Sequence, residues 1–306
     1  MAFTGVTEKK LLEYHKIYEQ IYEDPFIPLY KVARNINIAR SIVFRYAKEM
    51  YESSILQGPF ISLKPAENRH QYAHFLVVDD PFSVYRWFEG FPGVISRSLT
   101  AGAWNVLVIC DQLMDVSALE GVNNCIVKEV KGVTHLSKVS GVDWDESIQE
   151  MKSAPAPEEK FILYEEGPEL LWKEPEWTLF DQFKYNIRKK TLPVLKKVGI
   201  RYEQYQEWVS QLPEVALVQP AFFPLQQKNY FFFDFLFQSE YHKGLTNVLG
   251  MLPSTCYFFS VREYLLARLS FVDKKQRDDL YLVIKELVKK GYITRWFQAM
   301  VIFSGE

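Results

Sequence analysis

The residues with the most chemical character in this sequence lie between positions 34 and 48. Arg34, Arg40, Ser41, Phe44, Arg45 and Lys48 are the types that meet a nucleic acid. Arginine binds guanine bidentately, lysine and serine contact phosphate, and phenylalanine touches a thymine methyl group. On a helix over 39–52, Arg40, Ser41, Phe44, Arg45 and Lys48 fall opposite an apolar face of Ile42, Val43, Tyr46, Ala47 and Met50. Enzymatic motifs are missing. The sequence has no Gly-x-Gly-x-x-Gly, P-loop, Gly-x-Ser-x-Gly or His-Glu-x-x-His. Its five histidines are His15, His70, His74, His135 and His242. His74 and His135 can approach each other across neighbouring strands, but two histidines without a third ligand make a poor metal site. Cys110, Cys125 and Cys256 are widely spaced, with no Cys-x-x-Cys pair, which suits a reducing compartment. No catalytic residue, metal or cofactor is expected.

These residues need a folded frame, and the composition supplies one. The 306 residues are 48% hydrophobic and 16% aromatic, too apolar for disorder, and the length predicts at least two domains. No run of apolar residues is long enough for a membrane span, and residues 1–10 lack a secretory apolar segment. A cytoplasmic protein is expected. The net charge of −2 hides an uneven distribution. Residues 143–181 hold twelve acids and three bases, whereas 183–200 hold six bases and no acid. The acidic part includes Ser153-Ala154-Pro155-Ala156-Pro157, which reads as a stiff spacer.

The two sides of this spacer are copies of each other. A shift of 162 residues carries the 32–38 segment onto 194–200, Val43 onto Tyr205, Tyr46 onto Trp208 and Met50 onto Leu212. Pro59 then matches Pro220, Phe75-Leu76 match Phe235-Leu236, and Pro92 matches Pro253. Apolar positions are kept and polar ones differ, as in a duplicated backbone with diverged surfaces.

Each copy starts with helices. In the first these are 8–23, ended by Asp24-Pro25, then 27–34 and 39–52. Asn37 marks the reversal between the last two, and Gly199 occupies its place in the second copy. Both residues enter the left-handed region cheaply, so short helix, left-handed turn and helix form a helix-turn-helix pattern. Strands at 72–79, 94–100, 104–110 and 125–139 and helices at 81–91 and 114–121 follow, in β-α-β-β-α-β order. The second copy repeats this over 229–303. The predicted fold class is α+β: two tandem copies of a helix-turn-helix, winged-helix-like unit plus a ferredoxin-like domain. Expected boundaries are 1–60, 61–142, an acidic linker at 143–176, a degenerate helix-turn-helix at 177–222, and 223–306.

This arrangement resembles the Lrp/AsnC (feast/famine) transcriptional regulators. The resemblance rests on Val32-Ala33, the Asn37 turn, the Ile42–Met50 helix, Ile55-Leu56, Phe91-Pro92-Gly93-Val94 and Thr100-Ala101-Gly102-Ala103-Trp104-Asn105. Departures are Ala39 at the N-cap, Tyr46 for a basic residue, Ser54 for glycine, Asn105 for an acid, and the fusion itself. The resemblance implies double-stranded DNA as partner, with Arg40 and Arg45 at bases and Arg34, Asn37, Ser41, Phe44 and Lys48 supporting them. In the second copy the matching face is Tyr202, Glu203, Gln206, Glu207 and Ser210, whose carboxylates repel phosphate. Only the first unit is therefore expected to read DNA.

The resemblance also implies a small-molecule effector near the 99–105 turn, with Leu99, Gly102, Trp104 and Asn105 as candidates. The two ferredoxin-like domains are expected to pair within one chain, and a homodimer would present two reading heads. Two alternatives stand beside the regulator. One is a protein-interaction module without DNA binding. The other is a siroheme-type tetrapyrrole decarboxylase, since a group of such enzymes is similar to Lrp/AsnC proteins in architecture. Phe91-Pro92-Gly93-Val94 and Trp104-Asn105-Val106 resemble their hairpin, which implies Arg97, His74 and His135 as candidates.

Overall fold

In the computed structural model, which describes residues 7–116 and 119–305, both copies fold as a helical unit followed by a four-stranded sheet. Helix α1 (Glu8–Glu23) begins where the Thr7 hydroxyl accepts the Lys10 N–H. It stops before Pro25, because a residue preceding proline is driven out of the helical region. Helices α2 (Leu29–Asn35) and α3 (Arg40–Glu52) are joined through Asn37, whose φ of 54° is left-handed. Tyr14, Ile17, Val32, Val43 and Met50 close the core of this unit. Strand β1 (Leu56–Leu63) leaves it.

The first sheet comprises β2 (Gln71–Val78), β3 (Val94–Gly102), β4 (Val106–Cys110) and β5 (Val122–Lys131), with α4 (Pro81–Trp87) on its outer face. Residues 132–134 interrupt the expected last strand, and β6 (His135–Leu136) resumes elsewhere. The short helix expected at 114–121 includes positions 117 and 118, which lie outside the described residues.

The expected linker is half structured. Asp143 caps α5 (Trp144–Ser153), whose Trp144, Ile148 and Met151 sink into the core of the second copy. The spacing of these residues is helical, and their burial outweighs the acidic character of the segment. The chain then runs without helix until α6 (Glu174–Phe183), paired along the way by a parallel bridge of Phe161 with Tyr241. Helices α7 (Thr191–Val198) and α8 (Tyr202–Val215) turn at Gly199, with φ 72°. Strand β7 (Ala216–Phe222) pairs with β1 as an antiparallel ribbon, Leu56 opposite Phe222 and Leu63 opposite Ala216. The second sheet follows as β8 (Phe231–Gln238), α9 (His242–Leu249), β9 (Tyr257–Val261), β10 (Tyr264–Phe271), α10 (Lys274–Lys289) and β11 (Arg295–Gly305).

The strand order is β10-β8-β11-β3-β4-β2-β5-β9, and β9 pairs back onto β10. The two sheets thus close into one eight-stranded barrel, with β6 beside β9 at the rim. Each half keeps the ferredoxin-like order, and the expected intrachain pairing of the halves is present. The seams differ. β11 and β3 pair from Ala299–Gly102 to Gly305–Arg97, whereas β5 meets β9 only through Lys131–Val261. Phe75, Leu107, Leu236, Phe259 and Leu266 fill the interior. Phe235 instead faces the outer helices, so matching it to Phe75 is one residue out of register. Leu236 is the true counterpart, and in a strand a slip of one reverses the face. Among the described residues no helix is long and apolar enough to cross a membrane.

Gly102 sits at the tight end of the longer seam. A Cβ there would fall 2.4 Å from the Gln298 carbonyl oxygen and 2.6 Å from Ala299 Cα, both backbone atoms. Gly102→Ala should therefore cost about 1–3 kcal/mol, the scale of overpacking. Urea unfolding measures this, and an unchanged midpoint would show that the seam yields without cost.

Candidate active site at the barrel mouth

Both halves turn the same strand ends to one mouth of the barrel: the starts of their first two strands and the ends of their last two. The mouth holds Gln71, Ile95, Ile109 and Lys131 from the first half and Tyr257 and Arg268 from the second. The β1–β7 ribbon crosses above it, supplying Gln57, Phe60, Ile61, Ser62 and Leu63, while Phe180, Lys184 and Tyr185 close one side. Between floor and roof lies a cavity of about 460 Å³, within the range of ligand pockets.

Four cations line it: Arg69, Lys131, Lys184 and Arg268. No carboxylate lines it among the described residues. Asp234 lies just behind Arg268, fully buried, and accepts two hydrogen bonds from the guanidinium at 2.7 and 2.8 Å. Burial opposes the charge of Arg268, but Asp234 more than offsets it and holds the pKa above its ordinary value. Arg268 also reaches the Ser98 and Ser304 hydroxyls at 3.4 Å, so its head group is fixed in place. Arg69 lies over the Trp177 ring at 5.1 Å, and burial lowers its pKa.

Lys131 is the unusual member. It is 7% exposed, sits 4.7 Å over the Phe259 ring and donates one hydrogen bond, to the Gly132 carbonyl. Burial, with Arg69 adding repulsion, lowers its pKa to about 7. Buried lysines shift readily in this way. Tyr257 moves the other way, pushed up to about 12 by burial. The mouth therefore combines fixed positive charge, aromatic walls from Phe60, Phe180, Tyr185 and Tyr257, and one amine that titrates near neutrality.

The residues expected to carry function lie elsewhere. Leu99 and Trp104 are fully buried, and Trp104 packs edge-on against Phe75 at 5.1 Å, leaving no ring face for a ligand. Asn105 binds both the N–H and the carbonyl of Val78, while Gly102 abuts β11. The 99–105 turn thus fastens the barrel at its closed end. The matching turn lacks glycine, and Arg262 takes the left-handed conformation there, at φ 56°. His74 lies on the outer face of β2, fully buried and without a hydrogen-bond partner, its pKa lowered to about 4 by burial and then Lys128. His135 pairs with Phe258 on β9 instead of approaching His74, because the chain crosses to the second half after Gly132. Arg97 is also on an outer face, against Glu89 at 3.0 Å and the Tyr85 ring at 4.7 Å.

On α3, Arg40, Ser41, Phe44, Arg45 and Lys48 are all exposed, as are Arg34 and Asn37 before it. Arg40 stacks over Phe44 at 5.2 Å, and Arg45 and Lys48 stand 4.0 and 3.7 Å from Glu49 and Glu52. Phe44, Arg45 and Lys48 look across a groove of about 900 Å³ onto Asn186–Lys189 and Thr191 of the second helical unit. Arg188 bridges the units by donating to the Pro25 carbonyl at 2.9 Å.

Sequence reasoning missed the four cavity cations because they come from four places distant in the chain. One signal was available. Lys131 and Arg268 stand in strands at positions that alternation assigns to the interior, where an unpaired charge is costly.

No protein-family model matches the sequence, and no curated protein does. Among solved structures, the siroheme decarboxylase NirDL is similar over 95% of this chain and 91% of its own, with a TM-score of 0.51 and 13% identity. AsnC of E. coli is similar over 41% of this chain and 91% of its own (TM-score 0.32, 10% identity). An AsnC-family regulatory protein of Pyrococcus furiosus covers 39% of this chain and 86% of its own (TM-score 0.28, 13% identity). At this identity the NirDL likeness establishes a shared fold.

The buried amine has a consequence for stability. Its ordinary value is 10.5 and its folded value about 7, so between these pH values the unfolded chain binds a proton that the folded chain lacks. Stability from this group therefore rises with pH across that window, and the penalty is greatest below it. Lys131→Met should melt above the wild type at pH 7, with the gap narrowing towards pH 10. Thermal unfolding of both proteins at several pH values checks this, and a gap that does not vary with pH would contradict it.

Proposed function

We propose that this chain is an enzyme of the siroheme decarboxylase type, acting on a tetrapyrrole that bears several carboxylate side chains. The observation that carries the reading is the convergence of Arg69, Lys131, Lys184 and Arg268 on one aromatic-walled cavity without a lining carboxylate. A planar apolar ring rimmed by carboxylates complements that combination, and charge-assisted hydrogen bonds hold carboxylates well. NirDL, which shares the fold along nearly its whole length, is itself a siroheme decarboxylase. In this reading the sheet units, 61–142 and 223–306, form the vessel, and the helical units, 1–60 and 177–222, carry its roof.

The reaction breaks the bond between a side-chain methylene and its carboxylate. Carbon dioxide leaves, the electron pair passes into the conjugated ring, and a proton must reach the methylene carbon. The protein has to clamp the remaining carboxylates, exclude water and hold a donor. Arg69, Lys184 and Arg268 suit the first task, and the Phe60–Leu63 stretch of the ribbon suits the second.

An absorbance titration with uroporphyrin tests the binding half. Arg69→Gln and Lys184→Gln should each weaken binding about 10- to 100-fold, the scale of one hydrogen bond to a charged group. Incubation with siroheme followed by mass spectrometry tests the chemistry, with loss of carbon dioxide expected. A wild-type protein that neither shifts the uroporphyrin band nor alters siroheme would sink the proposal.

The regulator reading keeps one observation in its favour, the exposure of Arg40, Ser41, Phe44, Arg45 and Lys48 on α3. A helix entering the major groove needs its outer face clear, and here three of these five face the second helical unit across a groove. We expect no sequence-selective duplex binding in gel shifts at moderate salt. A shifted band abolished by Arg40→Ala, Arg45→Ala and Lys48→Ala together would restore that reading.

A further inference from the structure

We infer that Lys131 delivers the proton to the substrate carbon as carbon dioxide leaves, and that it takes this proton up when the substrate's carboxylates bind. The inference rests on the decarboxylase reading and deepens it.

Position comes first. Lys131 ends β5 at the narrow seam, opposite Gln71 on one side and Val261 on the other, and its side chain lines the cavity. Phe259 beneath it and the Gly132 carbonyl beside it fix the amine, yet among the described residues that carbonyl is the sole hydrogen-bond partner of its three donors. Buried ammonium groups are ordinarily paired, and no carboxylate pairs with this one among the described residues.

The charge that acts on it is positive: Arg69 approaches from the segment before β2. His135 of β6 is also near, but burial lowers its pKa and keeps it neutral. Arg268 faces the same cavity from β10, with Asp234 of β8 already engaged by it bidentately. Glu165 is held by Lys64 in an ion pair. Burial, with Arg69 nearby, drives the amine towards its neutral form, with a pKa of about 7. A carboxylate arriving within roughly 4–6 Å reverses this, because an opposite charge favours the ammonium.

The other lining groups are less suited to donate. Arg69 and Arg268 do not give up protons in proteins. The Tyr257 phenol, pushed up to about 12, holds its proton too firmly near neutrality. Lys184 is partly exposed at the rim and stands 3.6 Å from Asp181. His74 and Arg97 are outside the cavity.

The step balances. The bond from the side-chain methylene to its carboxylate breaks, and carbon dioxide departs. The electron pair left on carbon, delocalised into the ring, takes a proton from the Lys131 ammonium. A methyl group and a neutral amine result, and no oxidant or reductant is required. The negative charge that had called the proton in has now left, so the amine stays neutral until the next substrate binds.

Calorimetric titration of the full chain with uroporphyrin at pH 8, in buffers of different ionisation enthalpy, reads this directly. The wild type should take up about one proton on binding, because the group moves from mostly neutral to charged. Lys131→Met and Lys131→Arg should bind without that uptake, the arginine variant with affinity close to wild type because it keeps the charge. With siroheme, both variants should lose turnover about 100- to 10,000-fold, the usual share of a general acid. Proton uptake that survives in both variants, or turnover of either near the wild-type rate, would overturn the role of Lys131. Absence of uroporphyrin binding by the wild type would instead overturn the decarboxylase reading on which that role rests.

Discussion

Everything in this molecule depends on backbone hydrogen bonds that cross from one copy to the other. A four-stranded sheet of ferredoxin-like order leaves two edges whose N–H and C=O groups need partners. Here each copy supplies the other's missing neighbour, β11 for β3 along several residues and β9 for the end of β5 at Lys131, so that the ring closes. Closure also creates an inside. Apolar side chains pack all of it except the mouth, where Lys131, Arg268 and Asp234 replace them.

That substitution is costly and informative. Buried charge is tolerated when paired, as in Arg268–Asp234, and the cost is largest where it is not, as at Lys131. A protein evolving for stability alone would place a methionine or leucine there. The helical units fit the same picture. Their apolar cores and left-handed turns persist, but they approach one another across a groove and are tied by Arg188 to Pro25. Their joint product is the ribbon that roofs the cavity.

Much of the fold was legible in the sequence, and the reasons are physical. Helix α1 was marked by its helical spacing and by Asp24-Pro25 at its end, and the turns at Asn37 and Gly199 by residues that enter the left-handed region cheaply. Duplication was visible because buried positions change slowly in character even when their identities drift. The failures are equally specific. Composition hid α5, since Trp144, Ile148 and Met151 count for more than the acids around them. Alignment by residue type paired Phe75 with Phe235, although the strand faces differ. The site was the least legible part. Its cations are spread from Arg69 to Arg268 and meet only through barrel closure, while the conspicuous turn around Trp104 serves packing at the opposite end.

The mouth lies where the two copies meet, and this bears on what kind of ligand can be told apart. In an assembly of two identical chains, any group at such a place would appear twice, related by rotation, and would treat both ends of a guest alike. Here one copy offers Arg69 and Lys131 and the other offers Lys184 and Arg268, with unlike reach and surroundings. Fusion has freed the two sides to diverge. A single chain can therefore present different charges to the two ends of whatever its mouth holds, which a pair of identical chains cannot do.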